Sequence, residues 1–414
     1  MTAPASERPP EEVDVPAHVP DDLVHRLDHH NDTIVTSDPV GFMDELRERY
    51  RVFYSPVYEG FWAVTRYADQ REVFQRPELF SSSPTGLPGG PGYGGHKLLP
   101  IELDPPVHTK YRALINPVFA PKRIRALEEK ARVLANELID RILDSGRSEI
   151  DFVTDYAEKF PTQIFVDMMG LPFERYREFL TWNNTLLHSA QIGAGLDAKR
   201  QAGIEINDYL TTLIDHRTEH PGDDLVSVLI ASEVDGEQLT REEVLRSVFL
   251  LFMAGLDTVM SAHSWFWWHL ARNPGHRQQI LDDEAVVPSA IEELLRVNSF
   301  VNDARTVRED TEFAGVAMKK GDRVWLSSSS ACRDPREFPD PLTVDLRRSP
   351  NRHIAFAAGP HRCVGSHLAR LELRVTMEEW HRRIPHYRIP EGAHVPMHCG
   401  GVAGIDSLPM IIER

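Results

Sequence analysis

Apolar residues recur three and four positions apart over most of the chain between residues 106 and 272. Segments near 106–119, 121–145, 151–169, 173–187, 197–219 and 223–232 each carry such a stripe, separated by Pro and Gly, and predict helices. The longest predicted helix runs from Thr240 to Arg272. It opens on Thr240-Arg-Glu-Glu243, a capping box in which hydroxyl and carboxylate each satisfy a backbone N–H, and Asn273-Pro274 stops it. At 1.5 Å per residue it spans about 45–50 Å. Helical spacing returns near 275–283, 286–297 and from Gly365 to Ile384, with shorter helices predicted in Pro39–Arg51 and Tyr67–Gln75.

Period-two alternation is rarer. Arg51–Arg66 alternates around Glu59-Gly60 and predicts a hairpin; short β-like runs follow at 303–307, 311–318 and 323–326. A Pro-rich segment covers 1–22, a Gly/Pro/Ser loop covers Ser81–Gly95, and Arg333–His353 is rich in turns. The tail from Tyr387 to Arg414 reads as short strands joined by Gly and Pro, and no internal repeat is present. The sum is a mainly α protein with a minor β portion: an irregular arm over 1–22 and a single domain over 23–414.

Composition adds exclusions. The 414 residues, 41% hydrophobic and 26% charged, suffice for a large core. A net charge of −17 argues against a nucleic-acid partner, which wants a basic surface. Cys332, Cys363 and Cys399 are odd in number and widely spaced, which fits a reducing cytoplasm rather than a disulfide framework. The first thirty residues lack the basic start and apolar run of a secretion signal. Ser247–Ala271 is apolar over more than the roughly 20 residues a bilayer needs. It carries Asp257 and His263, costly in lipid, and is expected to be a buried core helix rather than a membrane span.

Four segments carry chemistry. In Phe356-Ala-Ala-Gly-Pro-His-Arg-Cys-Val-Gly365, a Gly-flanked loop holds one Cys directly before a helix. Glycines permit tight bends and close approach of a flat ligand, and a helix N-terminus favours thiolate over thiol. Such a thiolate pushes electron density onto heme iron; a buried, inert Cys in a tight turn is the other reading, and the loop alone leaves both open. Zinc through His361, Cys363 and His367 is disfavoured because paired-ligand spacing is missing. Met253-Ala-Gly-Leu-Asp-Thr-Val259 sets an acid and a hydroxyl in a greasy helix. Gly255 leaves a small groove, and Asp257 and Thr258 either serve oxygen and proton chemistry or, for Thr258, bond back to a carbonyl one turn earlier. Glu293-Leu-Leu-Arg296 taken alone reads as a surface ion pair. In Asp104-Pro-Pro-Val-His-Thr-Lys-Tyr-Arg112, His108 and Arg112 lie one helical turn apart and could grip carboxylates, or form a solvated face.

Taken in order, the four segments resemble the cytochrome P-450 family. Phe356, Gly359, Cys363 and Gly365 match its heme-loop pattern F-x-x-G-x-x-x-C-x-G; Ala254-Gly-Leu-Asp-Thr258 resembles its oxygen-groove motif; Glu293-x-x-Arg296 resembles its E-x-x-R pair. The resemblance runs from about residue 15 to the C-terminus and is nearest to the soluble bacterial camphor-hydroxylase group. It implies a single-domain fold with the long central helix over heme b, Cys363 as iron ligand, and Phe356, Gly365, Ala254 and Gly255 lining the cofactor. Asp257 and Thr258 would supply protons to the oxygen site. His108, Arg112, Arg305 and His361 would hold the heme propionates, with Asp303 supporting Arg305, and Glu293 and Arg296 would be structural and buried. Two departures are Ala357, where many bacterial members carry Gly, and Pro360 before His361.

The same resemblance places His96, Leu98, Leu250, Met253, Val301 and Val402 around the substrate. His96 stands where camphor-hydroxylating relatives have a ketone-binding Tyr, so camphor itself is disfavoured. The expected reaction is O2-dependent hydroxylation of a small apolar molecule, a monoterpenoid first, a norisoprenoid or small aromatic next. The chain has no nucleotide fingerprint and no iron–sulfur cysteine set, so electrons come from a separate protein, expected to be an acidic 2Fe-2S ferredoxin with its reductase. Lys110, Arg112, Lys122, Arg123, Arg125 and Arg362 would form its dock by charge complementarity. A heme-thiolate peroxygenase and a non-catalytic heme sensor are the alternatives.

Overall fold

A computed structural model describes residues 12–88, 97–188 and 195–413. The N-terminal third alternates short helices with the edge of a sheet: α1 (Thr33–Ser37), α2 (Met43–Arg49), β1 (Val52–Ser55), β2 (Phe61–Val64), α3 (Tyr67–Gln75) and β3 (Phe80–Ser81). The helical body follows: α4 (Val107–Ile115), α5 (Pro121–Arg125), α6 (Glu128–Asp144), β4 (Glu149–Asp151), α7 (Lys159–Met169), α8 (Tyr176–His188), α9 (Gly195–Glu219) and α10 (Leu225–Ile230). The β5–β6 hairpin (Glu233–Val234, Glu237–Gln238) leads into α11 (Arg241–Arg272), then α12 (Pro274–Asp282) and α13 (Val287–Val297). The C-terminal part holds β7 (Asn302–Val307), β8 (Thr311–Phe313), β9 (Val316–Met318), β10 (Arg323–Ser327), α14 (Ser328–Cys332), α15 (Ser366–Arg383), β11 (Tyr387–Arg388), β12 (Met397–His398), β13 (Gly404–Ile405) and β14 (Pro409–Ile412).

The main sheet has the order β1-β2-β10-β7-β3, and its β2–β10 pair is parallel. Side chains alternate across it: Val52, Tyr54, Trp62, Val64 and Val324 join one apolar cluster, and Phe53, Phe61, Ala63 and Trp325 join another on the opposite face. A second sheet, β11-β14-β4, closes the far end. The largest core lies among the helices, with α11 through its middle, packed against α7, α8, α9, α10 and α15. The Thr240–Glu243 capping box forms as expected, and Tyr111 hydrogen-bonds the same Glu243 carboxylate. α11 is long and apolar enough to cross a bilayer, but it is the core helix of the domain, and the two polar residues noted in the sequence meet protein partners: Asp257 Oδ2 meets His188, and His263 meets Thr376 and the Val259 carbonyl.

Two predicted helices are broken. The segment 121–145 divides into α5 and α6, with tight backbone bonds at Ala126 and Leu127 and no Pro or Gly to announce the break. The segment 151–169 starts as β4, then makes a π-helical turn at Val153–Ala157 before α7. Pro161 accounts for that turn: it has no N–H for the Ala157 carbonyl and its ring crowds that oxygen, so the preceding turn widens. Within the predicted N-terminal arm, Glu12 bridges Val57 and Val19 is buried against the sheet. His96, and the Ser81–Gly95 loop beyond Pro88, lie outside the described residues.

Candidate active site

The Cys363 loop is folded by three backbone hydrogen bonds: Cys363 N–H to the Phe356 carbonyl (3.0 Å), Ala357 N–H to Ile354 (2.9 Å) and Arg362 N–H to Gly359 (3.1 Å). Gly359 is required twice over: its φ is +69°, and a side chain there would overlap the Phe74 carbonyl oxygen at the end of α3. The Arg370 guanidinium lies 4.6 Å from the centre of the Phe356 ring and ties the loop to α15. Ala357 has φ +57°, a left-handed conformation that costs a residue with a Cβ about 1–2 kcal/mol. Gly there relieves the strain but loses more chain entropy, so Ala357→Gly is expected to raise unfolding stability by about 0.5–1 kcal/mol, read by denaturant titration.

Cys363 is surrounded by protein yet keeps exposed surface, which fits a residue bordering an interior space. The helix-terminus expectation of a lowered thiol pKa is corrected here. Burial pushes the thiol up and outweighs the Gly365 N–H and the charges of Arg112, Arg362 and Arg370, which pull it down. The loop therefore does not make a thiolate unaided; a bound metal ion deprotonates such a sulfur outright.

Four donors gather beside this loop. Among the described residues Arg305, 3% exposed, has its neighbour's carbonyl (2.7 Å), Asp303 (3.8 Å) and the face of the Phe74 ring (5.1 Å) as partners. His108 is buried with neither ring nitrogen hydrogen-bonded among the described residues; the His361 ring lies 4.1 Å from it, tilted by 43°, with Nε2 unpartnered. Arg112 donates to the Arg362 carbonyl (2.5 Å). Burial first, and mutual repulsion next, pushes His108 down to about 4 and His361 to about 3, and burial also lowers Arg305 and Arg112. Two guanidinium groups and orphan ring nitrogens, with Asp303 at 3.8 Å from Arg305, make a seat for an anionic ligand.

On α11, Ala254 is exposed in the middle of a core helix, and Gly255, Thr258 and Val259 are half-buried, so this face borders an interior space too. Thr258 Oγ1 donates to the Ala254 carbonyl (3.0 Å), the back-bond expected of a mid-helix threonine. Asp257 is buried, with Oδ2 3.1 Å from His188 Nε2; burial pushes its pKa up, but His188 and His398 outweigh that and hold it below the usual value. At Gly255 a side chain would overlap the Phe165 ring, so its missing Cβ makes room for α7. Leu98 and Leu250 are buried in the helical core, Met253, Val301 and Val402 pack against it, and Val301 and Val402 are joined as a β-bridge.

The family model for cytochrome P-450 matches residues 197–383. A probable cytochrome P-450 127A1 of Sinorhizobium fredii is 38% identical over 363 residues, covering 86% of each chain. The chain belongs to the cytochrome P-450 family. A steroid C26-monooxygenase of Mycobacterium tuberculosis is 34% identical over 89% of this P-450 and 94% of that protein. Among solved structures, CYP101J2 superposes with a TM-score of 0.87 at 29% identity and CYP101C1 with 0.85 at 30%, each covering 97% of this chain and all of theirs. This P-450 is thus a monooxygenase with heme b as cofactor, and the donor set fits the group: one enclosed sulfur for the iron, and cationic and orphan donors for two propionates.

The surface reading of Glu293 and Arg296 is overturned. Both are 0% exposed and joined at 2.8 Å; Arg296 donates to the carbonyls of Cys332 and Pro341, while Arg348, Asn351 Nδ2 and the Asp345 N–H also bond Glu293. The pair pins α13 to the turn-rich stretch before the heme loop. Sequence reasoning missed Arg348 and the His188–His398 pair beside Asp257. His188 lies 69 residues from Asp257, on an unrelated helix, and no local pattern marks it.

Proposed function

We propose that this P-450 hydroxylates a small, compact apolar substrate, a monoterpenoid first and a norisoprenoid or small aromatic next. The observation that supports this is that the candidate pocket residues among those described are all apolar and share one core: Leu98 and Leu250 lie in it, and Met253, Val301 and Val402 pack against it, the last two joined by a β-bridge. A steroid or branched lipid is the second reading, favoured by the relatives named for steroid C26 and methyl-branched lipid ω-oxidation and by a neighbour solved with testosterone. Titration of the heme-loaded protein with a bicyclic monoterpenoid is expected to shift the heme spectrum toward high spin; a shift with steroids alone reverses the order.

When bound, heme b activates O2 so that one oxygen enters a C–H bond and the other leaves as water. The chain's part is to hold it and move protons. Cys363 would ligate the iron, and Arg112, Arg305, His108 and His361 would hold the propionates. Asp257, anchored on His188, relays protons, and Thr258 turns its hydroxyl from the Ala254 carbonyl toward the oxygen site. Thr258→Ala is expected to keep the heme spectrum and NADH consumption while product per NADH falls about tenfold or more. Unchanged coupling points to a role without proton transfer. The intact acid–hydroxyl pair favours O2 over a peroxygenase mechanism.

Electrons are assigned to an acidic 2Fe-2S ferredoxin and its reductase, and the protein to the cytoplasm. On the Cys363 side, a groove of about 230 Å³ is bordered by Arg125, His367, Arg370 and Arg374. Among the described residues Lys122, Arg125 and Arg362 have no carboxylate within ion-pair distance, whereas Lys110 is paired with Asp235 (2.5 Å) and Arg123 approaches Asp223 (3.8 Å). The dock is therefore narrower than the six cations picked out in the sequence.

A further inference from the structure

Asp257 is also one corner of a buried cluster. His188 at the end of α8, Asp257 in α11 and His398 in β12 are 3%, 2% and 7% exposed and meet from three separate elements. The two imidazoles lie 4.1 Å apart between centres. His398 Nδ1 is 2.6 Å from Asp406, whose side chain reaches solvent. Gly404 makes room for this ring: a Cβ there would come within 2.6 Å of His398 Nε2.

With both rings neutral, these contacts assign the lone pairs. Next to a carboxylate, His398 Nδ1 is the donor, which leaves Nε2 as an acceptor; His188 Nε2 donates to Asp257, which leaves its Nδ1 as an acceptor. Those two nitrogens and Asp257 Oδ1 are buried and have no hydrogen-bond partner. Three buried acceptors of one cluster thus lack a donor among the described residues, an arrangement that is costly unless a cation or a proton sits among them. Each residue offers a ligand atom within 4.8 Å of the others.

We propose that His188, Asp257 and His398 form a site for a divalent transition metal of the zinc class, with Asp406 orienting His398 from behind. Two imidazoles and a carboxylate suit zinc, leaving a fourth position for water. A carboxylate on the far nitrogen is the usual support of a metal-bound histidine. Zinc–nitrogen bonds of about 2.0–2.1 Å draw the rings inward and open the His188–Asp257 contact. An ion there neutralises Asp257 and stops its proton transfer. That consequence, unlike the binding, rests on the role proposed for Asp257.

The test uses heme-loaded protein, stripped with a chelator, dialysed against micromolar Zn²⁺ and assayed for zinc per heme by atomic emission. His216 and His220 stack 5.0 Å apart at the exposed end of α9 and could chelate zinc themselves, so a His216→Ala/His220→Ala variant is the background. One zinc per heme is expected there, lost in His398→Ala and in His188→Ala, with affinity weakened about 10–100-fold in Asp406→Asn. Asp406→Asn carries the test if the alanine variants fail to load heme. No stoichiometric zinc, or zinc unaffected by these changes, overturns the site. Zinc is expected to suppress turnover in the background variant; bound zinc with full turnover leaves the site standing and overturns the proton role of Asp257.

Discussion

Cys363→Ser is expected to abolish O2-dependent turnover while leaving the fold and some heme binding in place. The serine hydroxyl does not ionise as a thiol does, and without thiolate the electron push that favours O–O cleavage is gone. Heme retention follows from the rest of the proposed seat: His108 and Arg112 on α4 and Arg305 on β7 come from other elements and do not depend on the sulfur. Neither remaining cysteine can substitute. Cys332 is fully buried beside the sheet, and Cys399 packs on its other face, with its thiol on the Val35 carbonyl. The measurement is the spectrum of the reduced, carbonyl-bound protein together with product formation. A serine variant that keeps the thiolate-type spectrum would show that position 363 is not the ligand.

Glu293→Ala is expected to cost about 3–5 kcal/mol, the usual loss when one partner of a buried ion pair is removed. Arg296 would remain fully buried with its charge uncompensated, and Arg348 would lose the carboxylate it bonds at 3.1 Å. Urea unfolding at neutral pH measures the loss, and heme content should fall with it, since the pair braces the stretch leading into the Cys363 loop. The same carboxylate gives a pH signature. Burial pushes its pKa up, but Arg296, the Asp345 N–H and Arg348 outweigh that and hold it below the ordinary value of 4.5. Its stabilisation is therefore complete above that value and is lost as pH falls through the lower, folded-state value. Glu293→Gln should remove this acid dependence while keeping part of the hydrogen bonding.

Most helices were legible because their apolar periodicity and punctuation are local. Tyr67–Gln75 and the Thr240 cap form as the chain predicts. The break inside 121–145 was not legible, since it depends on packing against α15 rather than on Pro or Gly. Of the site, Cys363 and the Asp257-Thr258 pair stood out as chemistry placed in unlikely surroundings. Burial did not: the i,i+3 spacing of Glu293 and Arg296 is the same on a surface and in a core, and only the tertiary fold tells them apart. The net direction of the Cys363 pKa was hidden for the same reason, because helix position is local and burial is not.

The parallel pairing of β2 with β10 joins residues 62–64 to 324–326, and the cofactor seat likewise draws His108 and Arg112 from early in the chain and Arg305, His361 and Cys363 from late in it. A nascent chain leaving the ribosome thus holds only the early part of the seat while the roughly 250 residues between Arg112 and Cys363 are made. At roughly 5–20 residues per second, that interval lasts roughly 12–50 s for each molecule made. Heme capture through the full seat accordingly waits until Cys363 has been synthesised.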